Sequence, residues 1–199
     1  MAALFNKYYA LRHGISLANE KGIIISSPEN GINDYGLSHA GFEDAGNKFD
    51  PAHSYFSSFR RQNTICLTSE FLRARQTAEI FCERLGLPAA REDHRLRERF
   101  FGRLEGSESK NYHTIWKLDE QNLQQDELGF EHAKDVLSRM LDLVHEHERI
   151  HWGKHVVLVS HGDPLQILQT WFNGLPPNMH RQIPQLENAE LRQLQYKRA

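Results

Sequence analysis

Short apolar runs alternate along this chain with longer stretches in which apolar residues recur every three or four positions. Residues 7–11, 64–69 and 155–160 are the short runs, rich in β-branched and aromatic residues, and they predict buried strands. Between them lie helical patterns. Ser38 is a candidate N-cap for a helix that places Phe42, Ala45 and Phe49 on one face. Ala74, Ala78, Phe81 and Leu85 form a second stripe, closed by Gly86 and Pro88. Ala133, Leu137, Met140, Leu141 and Val144 form a third. A fourth helix follows the strand at 155–160, with Asp163 as cap and Pro164 as first residue. Residues 189–195 predict a short final strand. Residues 22–36, with Ser26-Ser27-Pro28 and Glu29-Asn30-Gly31, predict a long surface loop. Residues 99–130 are polar and irregular around Tyr112, Ile115 and Trp116, and predict a small lid.

Strands alternating with amphipathic helices predict an α/β domain, with a mainly parallel central sheet covered by helices on both faces. The 199 residues, 39% of them hydrophobic, suit one domain over 1–199 with the lid as an insertion at about 103–130. The net charge of −2 gives no global attraction to nucleic acid or to an anionic membrane, so any anion site must be a local cluster of cations. No apolar run approaches the ~20 residues that span a bilayer, and the first residues lack the pattern of a secretory leader. A cytoplasmic protein is expected. Cys66 and Cys82 both sit in apolar surroundings and read as reduced core residues.

The chemistry concentrates at strand ends. Arg12-His13-Gly14 follows the first strand, Ser69 ends the second and His161-Gly162 follows the third. Ligands of such sheets bind at the carboxyl ends of strands. Two imidazoles with nearby guanidinium groups suit phosphoryl transfer, which needs a positioned nucleophile and fixed positive charge. A neutral His13 is a competent nucleophile, and flanking arginines discourage its protonation. Arg12 and Arg73 are the candidate phosphate forks. Asn19 is a candidate neutral donor, and the helix N-termini after His13 and His161, Gly162 included, add backbone N–H groups. His161 would contact the equatorial oxygens, better charged than neutral. Glu98 is the candidate acid for the leaving oxygen. An ordinary glutamate is ionised at pH 7, so bound phosphate must raise its pKa, against Arg97 and Arg99 if they point inward.

These segments resemble, in order, the four blocks of the histidine phosphatase superfamily, the phosphoglycerate-mutase-like proteins: Arg12-His13-Gly14 with Ser16 and Asn19, then Thr68-Ser69 through Arg73 to Ala78, then Leu96 to Gly102 around Glu98, then Ser160-His161-Gly162. The resemblance implies a phosphohistidine on His13, a phosphate pocket of Arg12, Arg73 and His161, and neither metal nor cofactor. Mutases of this family carry a longer basic insertion after the third block. Here the region is short and mixed in charge, Gly106 to His113. That favours water as acceptor, and hence a phosphatase acting on a small-molecule phosphate ester, with a phosphoglycerate mutase as the alternative. Asn30, Asn33, Tyr35, Tyr112 and Trp116 suggest a polar, partly aromatic rim.

Two other classes compete. His147-Glu148-Arg149-Ile150-His151 fits the H-E-x-x-H pattern of zinc proteases. Trp152-Gly153 ends that helix at once and no third ligand follows in register, so an exposed helix end is the expectation. A non-catalytic phosphate-binding module would lack one of His13, Arg73, Glu98 or His161, and all are present. The sequence identifies neither the physiological substrate nor the oligomeric state.

Overall fold

A computed structural model describes residues 4–123 and 126–196. In chain order the elements are β1 (Lys7–Arg12), α1 (Leu17–Lys21), α2 (Pro28–Gly31), α3 (His39–Lys48), β2 (Thr64–Thr68), α4 (Leu72–Arg84), β3 (Arg91–Glu92), α5 (Tyr112–Glu120), α6 (Ala133–Ile150), β4 (His155–Ser160), α7 (Gly162–Asn173) and β5 (Leu191–Leu194). The sheet runs β3-β2-β4-β1-β5; all pairs are parallel except β1 with β5. The α/β fold with a mostly parallel sheet is therefore as the sequence predicts.

β4 lies at the centre and all six of its residues are buried. Successive side chains of a strand point to opposite faces, and each face has its own core. Val156 and Leu158 join Tyr8 and Ala10 against Val136, Met140, Leu143 and Val144 of α6 and Leu165 and Leu168 of α7. Val157 and Val159 join Tyr9, Leu11 and Cys66 against Ala45 and Phe49 of the α3 end and Ala74, Ala78 and Phe81 of α4. The Cys66 and Cys82 thiols are free and buried.

Several local expectations need correction. Phe42 is 42% exposed; the inward face of α3 runs through Gly41, Ala45 and Phe49, because Gly41 packs directly on the backbone of Ile15, where a Cβ would come within 1.9 Å of the carbonyl oxygen. Residues 22–36 are more than a surface loop. Ile24, Ile25 and Ser26 are buried, and Ser27 caps the short helix α2. The lid is not irregular. It contains α5, whose Ile115 and Leu118 join Ile24, Phe101 and Phe130 in a satellite core; residues 124 and 125 of this region lie outside the described residues. Asp163 does not cap α7. The helix begins two residues earlier than expected, at Gly162, with His161 at the cap. Proline third in the helix costs no hydrogen bond, since first-turn N–H groups have no helical partner. Among the described residues, no helix is long and apolar enough to cross a membrane.

Candidate active site

Strand register brings the two ends of the chain together. Arg12 of β1 is paired with Ser160 of β4, so the next residues, His13 and His161, leave adjacent strands side by side. The His13 N–H donates to the Ser160 carbonyl at 3.0 Å, and the two imidazole centroids stand 5.1 Å apart. β2 flanks β4 on its other side, with Thr68 opposite Val159. Ser69 therefore emerges beside His161, and α4 starts with Arg73 in its first turn.

The buried Arg73 guanidinium bridges both rings. Its Nε lies 3.2 Å from His13 Nε2 and 3.2 Å from His161 Nδ1, and its Nη2 donates to the Ile25 carbonyl at 2.9 Å. The other hydrogen bonds fix the tautomers. His13 Nδ1 donates to the Gly14 carbonyl at 2.8 Å, which leaves the Nε2 lone pair facing Arg73. His161 accepts Arg73 at Nδ1, so its Nε2 carries the proton and donates to Ser69 Oγ at 2.9 Å. Burial, then Arg73, holds both rings well below the usual histidine range. The expectation that a charged His161 serves best is thus not met by its surroundings: the ring is held neutral.

Glu98 is buried beside Arg73 and His161. Its Oε2 lies 3.7 Å from Arg73 Nη2 and 3.9 Å from His161 Nδ1, and its Oε1 accepts the Arg99 N–H at 2.9 Å. Burial raises its pKa to about 7, with Asp163 adding to the rise and Arg73 opposing it. A bound phosphate is therefore not required for this carboxyl to hold a proton near neutrality. The Arg99 N–H opposes the rise through its hydrogen bond, but the two flanking guanidinium groups are engaged elsewhere. Arg97 binds Glu70 at 2.5 Å, and Arg99 is engaged by Asp119 and Asp163.

Arg12, His13, Arg73, Glu98, Asn19 and Gly162 all line one cavity of about 410 Å³. Arg12 Nε and Arg73 Nη1 have no partner within the protein, so two guanidinium groups retain donors in a cavity that Glu98 and Asp163 also line. Asn19 has a second duty: its Oδ1 accepts the N–H and hydroxyl of Ser16, completing a capping box on α1. The helix start near His13 offers less than expected, since the Gly14 N–H donates to Thr77 Oγ1 at 2.9 Å. Gly162 opens α7, and a Cβ there would come within 2.6 Å of Gln185 Nε2. Tyr112 and Trp116 line the cavity, as do Ile23 and Ile25; Asn30, Asn33 and Tyr35 do not. Thr77 is a residue that sequence reading passes over, and Ser69 is placed at a strand end but given no role. Both stand inside the second block, but a small hydroxyl gives no pattern of its own.

The H-E-x-x-H segment is structural. Glu148 accepts the N–H of Phe5 and Asn6, the Asn6 amide and the Tyr8 hydroxyl, tying β1 to α6. His147 lies in the last turn of α6, His151 caps it, and their rings stack at 5.3 Å. Among the described residues, no group of three or more His, Cys, Asp or Glu side chains is arranged to hold a metal.

Known proteins resemble this chain in sequence and fold. A 2,3-bisphosphoglycerate-dependent phosphoglycerate mutase of Methylobacterium sp. (strain 4-46) is 28% identical, with 88% of this chain and 83% of the relative covered. The mycobacterial glucosyl-3-phosphoglycerate phosphatase in complex with VO3 superposes with a TM-score of 0.76 at 27% identity, over 96% of this chain and 92% of that one. A putative alpha-ribazole-5'-P phosphatase from Escherichia coli str. K-12 substr. MG1655 shares the fold, with a TM-score of 0.68 at 21% identity over 93% and 88% of the two chains. Residues 8–199 match the model of the histidine phosphatase superfamily (branch 1), and the chain belongs to that superfamily.

Proposed function

We propose that this chain is a phosphomonoesterase that acts on a small metabolite through a phosphohistidine. The observation that carries the reading is the pairing of His13 with His161 beneath one guanidinium, with a carboxyl poised to titrate near neutrality beside it. The phosphate draws Arg12, Arg73, Gly162 and the Asn19 amide to its oxygens. The His13 Nε2 lone pair then forms a bond to phosphorus as the ester P–O bond breaks, and Glu98 gives its proton to the departing oxygen. In the second half, ionised Glu98 takes a proton from water as that water attacks phosphorus. The P–N bond breaks, His13 recovers its lone pair, and inorganic phosphate leaves. His161 carries no bond to phosphorus; in the free protein its Nδ1 accepts the Arg73 Nε–H, and it holds an equatorial oxygen only once the bound phosphate dianion has drawn a proton onto that nitrogen.

The cavity supports hydrolysis over mutase chemistry. A bisphosphate needs a second cationic cluster beyond the transfer site. The other lysine or arginine of the lining is Lys110, which is largely exposed and pairs with Glu108 at 2.5 Å. Mutase activity is the second reading, favoured by the 28% identical phosphoglycerate mutase.

The test is a panel of phosphate esters with wild type and His13→Ala. Wild type is expected to release inorganic phosphate and to yield an acid-labile, base-stable phosphate on His13. His13→Ala is expected to fold and to be inert. Full activity in the mutant refutes the mechanism, and isomerised substrate without phosphate release makes the chain a mutase.

A further inference from the structure

Behind the cavity wall lies a buried polar cluster that the proposed steps do not use. Arg99 is fully buried. Its guanidinium makes a two-pronged contact with Asp119 of α5, at 2.6 and 2.9 Å, and reaches Asp163 of α7 at 3.2 Å, while its Nε donates to the Glu131 carbonyl at 2.7 Å. Asp163 is itself buried. It accepts the indole N–H of Trp116 at 3.0 Å through Oδ1 and 3.3 Å through Oδ2. Trp116 is fixed further by stacking on Tyr112 at 5.5 Å and by Arg181, whose Cζ lies 3.8 Å from the ring centre. Tyr112, Trp116, Asp163 and Glu98 all face the cavity.

One carboxylate thus joins three elements: the first turn of α7, the lid helix α5 and the segment 98–99. We propose that Asp163 is a positioning residue for the phosphatase reaction, latching the lid helix through Trp116 and holding Arg99, and with it Glu98, in the place from which the leaving oxygen is protonated. This inference rests on the phosphatase reading above.

Two physical points support it. An amide is a poor replacement for the carboxylate: it carries no charge for Arg99, and it puts an NH₂ donor in place of one of the two oxygens that the Trp116 and Arg99 donors approach. The Asp163 charge also faces Glu98 and favours its protonated form. The other groups facing Glu98 are Arg12 from β1, Arg73 from α4, His161 beyond β4 and the Tyr112 phenol from α5, while Arg139 of α6 donates to its backbone carbonyl. Asp163 in turn faces Arg99, Trp116 and, at 3.9 Å, His180 Nε2.

The test compares Asp163→Asn with Trp116→Phe on two substrates: an alkyl phosphate that wild type hydrolyses, and p-nitrophenyl phosphate, whose leaving group needs no proton. Circular dichroism and thermal melts report folding. Asp163→Asn is expected to lose about tenfold more kcat/KM on the alkyl ester than on the aryl ester. The fall of its kcat/KM on the basic side is expected to move to lower pH by about half a unit, because the charge that helps Glu98 keep its proton is gone. Trp116→Phe keeps that charge, so its basic limb stays at the wild-type pH while KM for the alkyl ester rises several-fold. Equal losses on both esters with an unmoved limb would make Asp163 a structural residue only and overturn the proposal. If Asp163→Asn does not fold, an unchanged KM in Trp116→Phe overturns the latch. A wild type that releases no phosphate from either ester fails the phosphatase reading instead, and that outcome is read before any variant is made.

Discussion

Glu98 and His13 share one cavity, and burial pushes their protonation in opposite directions. Desolvation disfavours whichever form is charged. It therefore keeps a proton on the Glu98 carboxyl up to about pH 7 and keeps protons off His13 well below the usual range. An acid that holds its proton and a nucleophile that refuses one are what the first half-reaction needs at the same pH. Neither requires a neighbouring charge to set it, although Arg73 strengthens the effect on His13 and weakens it on Glu98. The pH dependence of kcat/KM reports the free enzyme, so the sign follows directly. With an alkyl phosphate, kcat/KM is expected to fall as pH rises through about 7, as Glu98 loses the proton it must donate. Glu98→Gln is expected to lower kcat by about 10²–10⁴-fold, the usual worth of a positioned acid, and to abolish that basic limb. The loss on p-nitrophenyl phosphate should be much smaller. A Glu98→Gln enzyme with the wild-type limb intact would remove Glu98 from the acid role.

At the scale of elements, close approach matters more than side-chain chemistry. α3 can lie against the segment that follows His13 only because Gly41 has no Cβ; an added one would stand 1.9 Å from the Ile15 carbonyl oxygen and 2.9 Å from its carbon. Backbone cannot give way as a side-chain tip can. Gly41→Ala is expected to cost about 1–3 kcal/mol, in the range of overpacked cores. At about 2–4 °C per kcal/mol for a chain of this size, the melting temperature should drop by several degrees. Because the clash bears on the segment carrying His13, kcat should fall as well; a variant as stable and active as wild type would show that α3 is free to shift. This contact also explains what the sequence could and could not reveal. β1, β2 and β4 are buried on both faces and appear as continuous apolar runs, so they were legible. β3 is two exposed residues, Arg91 and Glu92, paired with β2 and tied to α4 by the Arg75–Glu92 ion pair, and no apolar signal marks it. α5 has a stripe of its own, Ile115 and Leu118, but it is too short to stand out among polar neighbours. The phase of α3 was misread because a glycine, not an apolar side chain, makes its inward contact. Within the site, the residues with distinctive chemistry were legible: His13, Arg73, Glu98 and His161. Ser69, which orients His161, and Asp163, which meets Trp116 across forty-seven positions of sequence, depend on tertiary contacts that no local pattern encodes.

The whole molecule bears a cost for keeping imidazoles dry. His13, His147, His155, His161 and His180 are all buried, and burial is the leading cause that lowers the pKa of each. In the unfolded chain each would take up a proton near pH 6.5. Below that value the unfolded state binds more protons than the folded one, so stability falls as pH falls, by up to about 1.4 kcal/mol per pH unit for each group that stays neutral. The contribution is fully present above pH 6.5 and is lost as pH drops toward the folded values. Glu98 works the other way. Its folded pKa is raised to about 7, so between its unfolded value of about 4.3 and 7 the native state holds the extra proton, and acidification stabilises it. One carboxyl set against five imidazoles leaves the histidines in control. Between pH 7 and pH 5 the melting temperature is therefore expected to fall by several degrees, and the fall should be smaller in His13→Asn, whose side chain has no proton to refuse. Thermal melts of wild type and variant at the two pH values decide it: a wild-type melting temperature that is flat or rises toward pH 5 would mean that the buried rings accept protons in place, and that His13 does not stay neutral in the folded protein.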